Sequence, residues 1–187
     1  VRAGFGALAI DLRGHGHDAG DAEVMTRGWM RKSIRDTPRQ PALQAAADVA
    51  QGIRVLKEET PSVFAAGIGL GANLIWIASQ GQPVKGVALA GPLFCSETVE
   101  PILKGRSSGS RAVQDLAGEQ ADTIRWFAGF FQLDRYTERV PVLLAEAATD
   151  AITPRRCTRN WIAGIPRTVP VEIVSLAHRG QFVSGEW

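Results

Sequence analysis

The most informative part of the sequence is Val63-Phe64-Ala65-Ala66-Gly67-Ile68-Gly69-Leu70-Gly71-Ala72. The apolar run over residues 63–66 predicts a short strand, and the residues from Ala72 to Ser79 predict a helix. Parallel α/β sheets are built from strands that pass through a short turn into a helix. The stretch therefore predicts one such unit, with a sharp turn within residues 67–71.

The same alternation continues on both sides of this unit. Apolar runs predict four further strands, over residues 5–10, 84–90, 140–145 and 171–176. Helices are predicted over 42–59, 113–131 and 155–162, and in the first of them an apolar period near 3.6 includes Leu43, Ala46, Ala47, Ala50 and Ile53. The predicted fold class is α/β, with a mostly parallel, doubly wound sheet and helices on both faces. We expect one domain over residues 1–187, with a short helical insertion at about 95–135.

Composition is that of a soluble globular domain. The 187 residues are 45% hydrophobic and carry a net charge of +2, too near neutral to argue for a nucleic-acid or membrane-surface partner. No apolar run approaches the roughly 18 residues of a membrane-spanning helix. The two cysteines, Cys95 and Cys157, give no disulfide framework and no zinc spacing. We expect reduced thiols and a cytoplasmic location, with a single disulfide as the alternative.

Three predicted strand ends carry unusual residues. One strand ends in the glycine-rich turn around Gly69, another leads to Asp150, and the last ends at His178. In an open α/β sheet, functional groups collect at the carboxyl ends of strands. The order turn, acid, histidine is also the chain order of a catalytic triad whose nucleophile sits in a G-x-S-x-G elbow.

The central position of this elbow lacks its nucleophile. Gly67 and Gly71 fit the flanks, where we expect small residues because the strand and the helix approach closely. The middle residue should be Ser, whose hydroxyl attacks an ester carbonyl after His removes its proton. Here it is Gly69, which has no side chain. We expect positive φ at Gly69, an oxyanion-hole N–H at Leu70, and no Ser-esterase activity.

A family resemblance enters with the residues before and after this turn. Asp11-Leu12-Arg13-Gly14-His15-Gly16 resembles the D-x-R-G-x-G loop of acetyl xylan esterases and cephalosporin-C deacetylases, carbohydrate esterases of the α/β-hydrolase fold. Further stretches that resemble this family are Met25-Thr26-Arg27-Gly28, Gly91-Pro92-Leu93-Phe94-Cys95 and residues 134–144.

The resemblance implies a set of roles. Asp150 would be the triad acid and His178 the base, the ligand would be a small acetylated ester or carbohydrate, and self-association as a homo-oligomer is expected. No cofactor and no metal are implied. The resemblance also implies that the family's earlier strands, with a loop that supplies part of the oxyanion hole, precede residue 1.

Simpler interpretations stand beside these roles. Asp150 could cap the helix that follows, and His178 could be an ordinary loop histidine. His15, His17 and Asp18 could hold a metal, although a tight polar turn is the competing interpretation. The aromatic residues 126–131 suit a core or a cap over the site.

Two other functions remain open at this point. Gly67, Gly69 and Ala72 match the G-x-G-x-x-A dinucleotide fingerprint, but Ala90-Gly91-Pro92 stands where its acidic residue is expected. A noncatalytic interaction or structural module on the same fold is the second alternative.

Overall fold

The predicted alternation of strands and helices is present in the structure. A computed structural model describes residues 4, 6–11, 41–82, 84–92, 100, 104, 125, 129–131, 133, 140–149 and 155–179. Its helices are α1 (Pro41–Glu59), α2 (Leu70–Ser79) and α3 (Arg155–Gly164), and its strands are β1 (Phe64–Ile68), β2 (Gly86–Ala90), β3 (Val142–Thr149) and β4 (Val171–Arg179).

The strands form one parallel sheet in the order β1-β2-β3-β4. The predicted parallel α/β architecture is thus confirmed. Because all four strands run the same way, their carboxyl ends meet at one edge of the sheet, and the turns that follow them lie side by side.

One face of the sheet carries the core. Trp76 of α2 and Trp161 of α3 pack edge to face, with ring centroids 5.1 Å apart. Both belong to a buried cluster with the inward-facing strand residues Val87, Leu89, Val142 and Leu144. On the opposite face, the described part of the sheet leaves large apolar side chains exposed, namely Phe64, Ile68, Leu143 and Val174. The described helices therefore cover one face of the sheet.

Of two expectations about the first half of the chain, one is wrong and the other holds only in part. Residues 6–11 are exposed and lie in no strand, whereas a buried strand was predicted over 5–10. Ile10 instead lies beside Gly52 of α1, which gives the apolar run a helix surface to contact. The predicted apolar face of α1 is confirmed in part: Ala46 and Ile53 are buried and Ala50 packs against the same cluster, whereas Leu43 and Ala47 are exposed.

Helix α2 holds the end of the predicted insertion against the core. The Asn73 side chain, which is fully buried, donates a 2.7 Å hydrogen bond to the Phe131 carbonyl. Trp76 Nε1 donates a 3.0 Å bond to the Leu133 carbonyl. Phe131 is itself buried in a cluster with α1 and α2, so this aromatic residue belongs to the core. Trp126 and Phe127 lie outside the described residues.

Candidate active site

Gly69 alone connects β1 to α2. Its backbone has φ 56° and ψ −123°, a combination that residues with a Cβ rarely adopt. Its N–H donates a 2.9 Å bond to the Ala90 carbonyl of β2, and its own carbonyl accepts a 3.1 Å bond from the Ala72 N–H. The predicted positive φ of Gly69 is present, and hydrogen bonds to both neighbouring elements hold the turn in place.

Gly67 is where the strand and helix approach most closely. A Cβ built on Gly67 would lie 2.5 Å from the Gly71 carbonyl carbon and oxygen and 2.7 Å from the Ala72 nitrogen. Because these are backbone atoms, no side-chain rotation relieves the overlap. A Cβ on Gly71 would meet nothing within 4 Å. The expected need for a small residue therefore holds at Gly67, whereas at Gly71 a side chain would point away from the contact.

The position where a side chain on residue 69 would project is open. A Cβ built on Gly69 would have no other atom within 4 Å beyond its chain neighbours. Helix α2 begins at the next residue, Leu70, and has no side-chain cap. The N–H groups in the first turn of a helix generally have no acceptor within the helix. The first turn of α2 lies directly beside this open position.

The candidate acid and base belong to the ends of the neighbouring strands β3 and β4. Strand β3 ends at Thr149, directly before Asp150, which lies outside the described residues. The backbone of His178 belongs to β4, and its side chain lies outside the described part. The parallel order of the strands brings the ends of β1, β3 and β4 to one sheet edge.

His178 lies at an irregularity between β3 and β4. Ala147 is in register with Leu176, and Thr149 with Arg179. One residue of β3 between these pairs therefore faces two residues of β4, Ala177 and His178. This arrangement is that of a β-bulge, which bends a strand locally and is common next to active sites.

Sequence reasoning missed Glu146, a buried acid four residues before Asp150. Only 4% of its side chain is exposed. Its Oε1 accepts hydrogen bonds from Ser175 Oγ at 2.9 Å and Arg159 Nη2 at 3.1 Å, and Thr158 Oγ1 lies 3.0 Å from Oε2. Arg155 Nε lies 3.3 Å from Oε1. The signal in the sequence was a single charged residue within the otherwise uncharged strand Val142–Thr149. A carboxylate in a buried strand needs hydrogen-bonding or charged partners, so Glu146 could have been predicted to have them.

Opposing effects act on the pKa of Glu146. Burial raises the pKa by disfavouring the charged form, while hydrogen bonds from Arg159, Ser175 and Thr158 and the positive charge of Arg159 lower it. The net result is a pKa below the ordinary value, so this carboxylate is ionised at neutral pH.

Comparison with known proteins decides the family. The model of the alpha/beta hydrolase family matches residues 1–182. This chain belongs to the alpha/beta hydrolase family. A search of curated proteins gives no match.

Solved structures agree with this family at the level of the fold. Acetyl xylan esterase 1 from Thermoanaerobacterium sp. JW/SL YS485 aligns with 95% of this chain and 58% of its own length, at 14% identity and a TM-score of 0.64. The acetyl xylan esterase from Paenibacillus sp. R4 aligns with 82% and 52%, at 16% identity and a TM-score of 0.59.

A third similar structure comes from a study of LipS and LipT, two metagenome-derived lipolytic enzymes. It covers 91% of this chain and 71% of its own, at 18% identity and a TM-score of 0.55. The chain thus spans little more than half the length of these two acetyl xylan esterases.

Cys157 forms a disulfide bond, which contradicts the expectation of two reduced thiols. The only other cysteine in the sequence, Cys95, lies outside the described residues. Cys157 is buried on α3, next to Thr158. The sequence spacing could not predict this bond, since disulfide formation depends on distance in the folded chain.

In the described ranges of the protein, His, Cys, Asp and Glu form no group of three that could hold a metal ion. His15, His17 and Asp18, the candidates from the sequence, lie outside those ranges. None of the helices within the described residues has the length and apolar character needed to cross a membrane.

Proposed function

We propose that this protein is a relative of acetyl-ester hydrolases that binds a small acetylated ester or carbohydrate without hydrolysing it. The observation that carries this proposal is the geometry of Gly69: a single residue between β1 and α2, with φ 56° and ψ −123° and open space on its Cβ side. A nucleophile elbow needs a strained turn of this kind to present its side chain. Gly69 keeps the turn and lacks the side chain.

The proposed chemistry follows from what remains around that turn. His178 would be the general base and Asp150 its orienting acid, but no hydroxyl stands at residue 69 for the imidazole to deprotonate. The N–H of Leu70 would still donate to a carbonyl oxygen of a bound ester. Loss of a triad nucleophile costs about 10⁶-fold in rate, which leaves binding as the retained property.

Location and assembly are secondary parts of the proposal. Self-association is expected from the resemblance to the acetyl xylan esterases. The disulfide of Cys157 weighs against the cytoplasmic location expected from the sequence, since stable disulfides form mainly in oxidising compartments.

The test separates binding from turnover. Acetylated xylo-oligosaccharide is titrated into the protein while the fluorescence of its five tryptophans is recorded, and acetate release is measured in the same samples. The deacetylated oligosaccharide is the control ligand. We expect saturable binding of the acetylated ligand and no acetate above the protein-free rate. Acetate release at a catalytic rate would refute the inactivity, and absence of both signals would favour the noncatalytic interaction module.

A further inference from the structure

The buried carboxylate of Glu146 on β3 contacts both β4 and α3. It lies on β3, four residues before Asp150, and is bonded to Ser175 on β4, three residues before His178. Its other partners, Arg155, Thr158 and Arg159, lie on the first turns of α3, which begins five residues after Asp150 in the sequence. One carboxylate thus joins β3, β4 and α3.

The bond between Glu146 and Ser175 lies directly before the bulge. These two residues are partners in the β3–β4 register, Ala147 and Leu176 are the next pair, and the irregularity follows. Strand register is well defined only where some feature fixes which residues lie opposite each other. A bulge is a local break in that pairing, so its position depends on the pairs beside it. The side-chain bond therefore fixes the last regular pairs before Ala177 and His178.

We propose that Glu146 is a positioning residue that fixes the register of the bulge carrying His178. Its carboxylate holds β4 through Ser175 and holds α3 through Thr158, so the last residues of β4 keep one alignment with β3. The proposal rests on the proposed function for the role of His178 as the ancestral base, whereas the effect on the bulge itself is independent of that role.

Hydrogen exchange at the backbone tests the effect on the bulge. Glu146→Gln removes the charge, and the double variant Thr158→Val/Ser175→Ala removes two partners without changing any charge. Ser79→Ala is the matched control, because Ser79 is a buried serine that bonds to Trp76 within α2. We expect the amides of residues 177–179 to exchange about tenfold faster or more in the two test variants and unchanged in the control. Unchanged exchange of these amides in Thr158→Val/Ser175→Ala would overturn the proposal.

The imidazole pKa of His178 tests the link to the site. It is measured by NMR and assigned among the three histidines with His178→Gln. An adjacent carboxylate raises a histidine pKa, so Asp150→Asn lowers it if the proposed acid–base pair exists. The double variant Thr158→Val/Ser175→Ala should then also lower the pKa of His178, and Ser79→Ala should leave that pKa unchanged.

The outcomes separate the two proposals. No response to Asp150→Asn would refute the acid–base pair, and the exchange result alone would still decide the role of Glu146. If Asp150→Asn lowers the pKa of His178 but Thr158→Val/Ser175→Ala does not, Glu146 does not position His178.

Discussion

At the scale of single residues, Gly67 and Gly71 look equivalent in the sequence but differ in their surroundings. Gly67→Ala should destabilise the protein by about 1–3 kcal/mol or more, because its Cβ would overlap the backbone of α2. Gly71→Ala has open space inside a helix and should be neutral or stabilising by up to about 1 kcal/mol. Urea unfolding of both variants measures the difference. Equal losses would contradict the close approach at Gly67.

Gly69 is a residue where backbone strain, and not space, limits substitution. Gly69→Ser and Gly69→Ala should each lower the free energy of unfolding by roughly 1–3 kcal/mol, because both place a Cβ on a backbone with φ 56°. The two losses should agree, since nothing lies within 4 Å of the added Cβ. Thermal unfolding under identical conditions measures them, and a gain in stability for either variant would contradict the strained turn.

At the scale of the elements, Glu146 makes the attachment of α3 and β4 to β3 dependent on pH. A carboxyl whose folded pKa is lowered stabilises the fold above its unfolded pKa, near 4.5, and this contribution disappears as pH falls through the folded pKa. Glu146→Gln should therefore cost about 1–2 kcal/mol at pH 7, a range reduced because Arg155 and Arg159 are half exposed. The difference between the two proteins should shrink below pH 4.5.

Urea unfolding of wild type and Glu146→Gln across pH 3–7 measures this dependence. Arg167→Gln is a suitable control, because Arg167 is an exposed residue beyond the end of α3. A difference that stays constant over this range would show that the carboxylate charge does not hold these elements together.

Most elements were predictable from the sequence, because their patterns are local. The parallel strands and the helices at 42–59 and 155–162 follow from apolar runs, periodicity and glycine or proline boundaries. The run at 5–10 was misassigned because a short apolar segment can contact a helix as well as a sheet. The positive φ of Gly69 followed from its place in a glycine-rich turn. The partners of Glu146 and the bulge at His178 depend on strand register, which the sequence does not reveal.

At the scale of the whole molecule, Cys157 forms a disulfide bond, and Cys95 is the only other cysteine in the sequence. With two cysteines in the sequence, we expect no free thiol in the isolated protein and two after reduction and unfolding. Reduction should lower stability by about 2–4 kcal/mol, since closing a long loop restricts the unfolded chain. Thiol titration with and without reductant, followed by thermal unfolding, measures both effects. Two reactive thiols before reduction would refute the bond.

We propose that residue 69 occupies the nucleophile position and that glycine there abolishes covalent chemistry. Wild type, Gly69→Ser and Gly69→Ala are treated with a fluorophosphonate, and adducts are located by intact mass and peptide mapping. The two substitutions share the added Cβ and differ by the hydroxyl. We predict no adduct on wild type or Gly69→Ala, and an adduct at position 69 of Gly69→Ser. A stoichiometric adduct on any serine of the wild-type protein would contradict it.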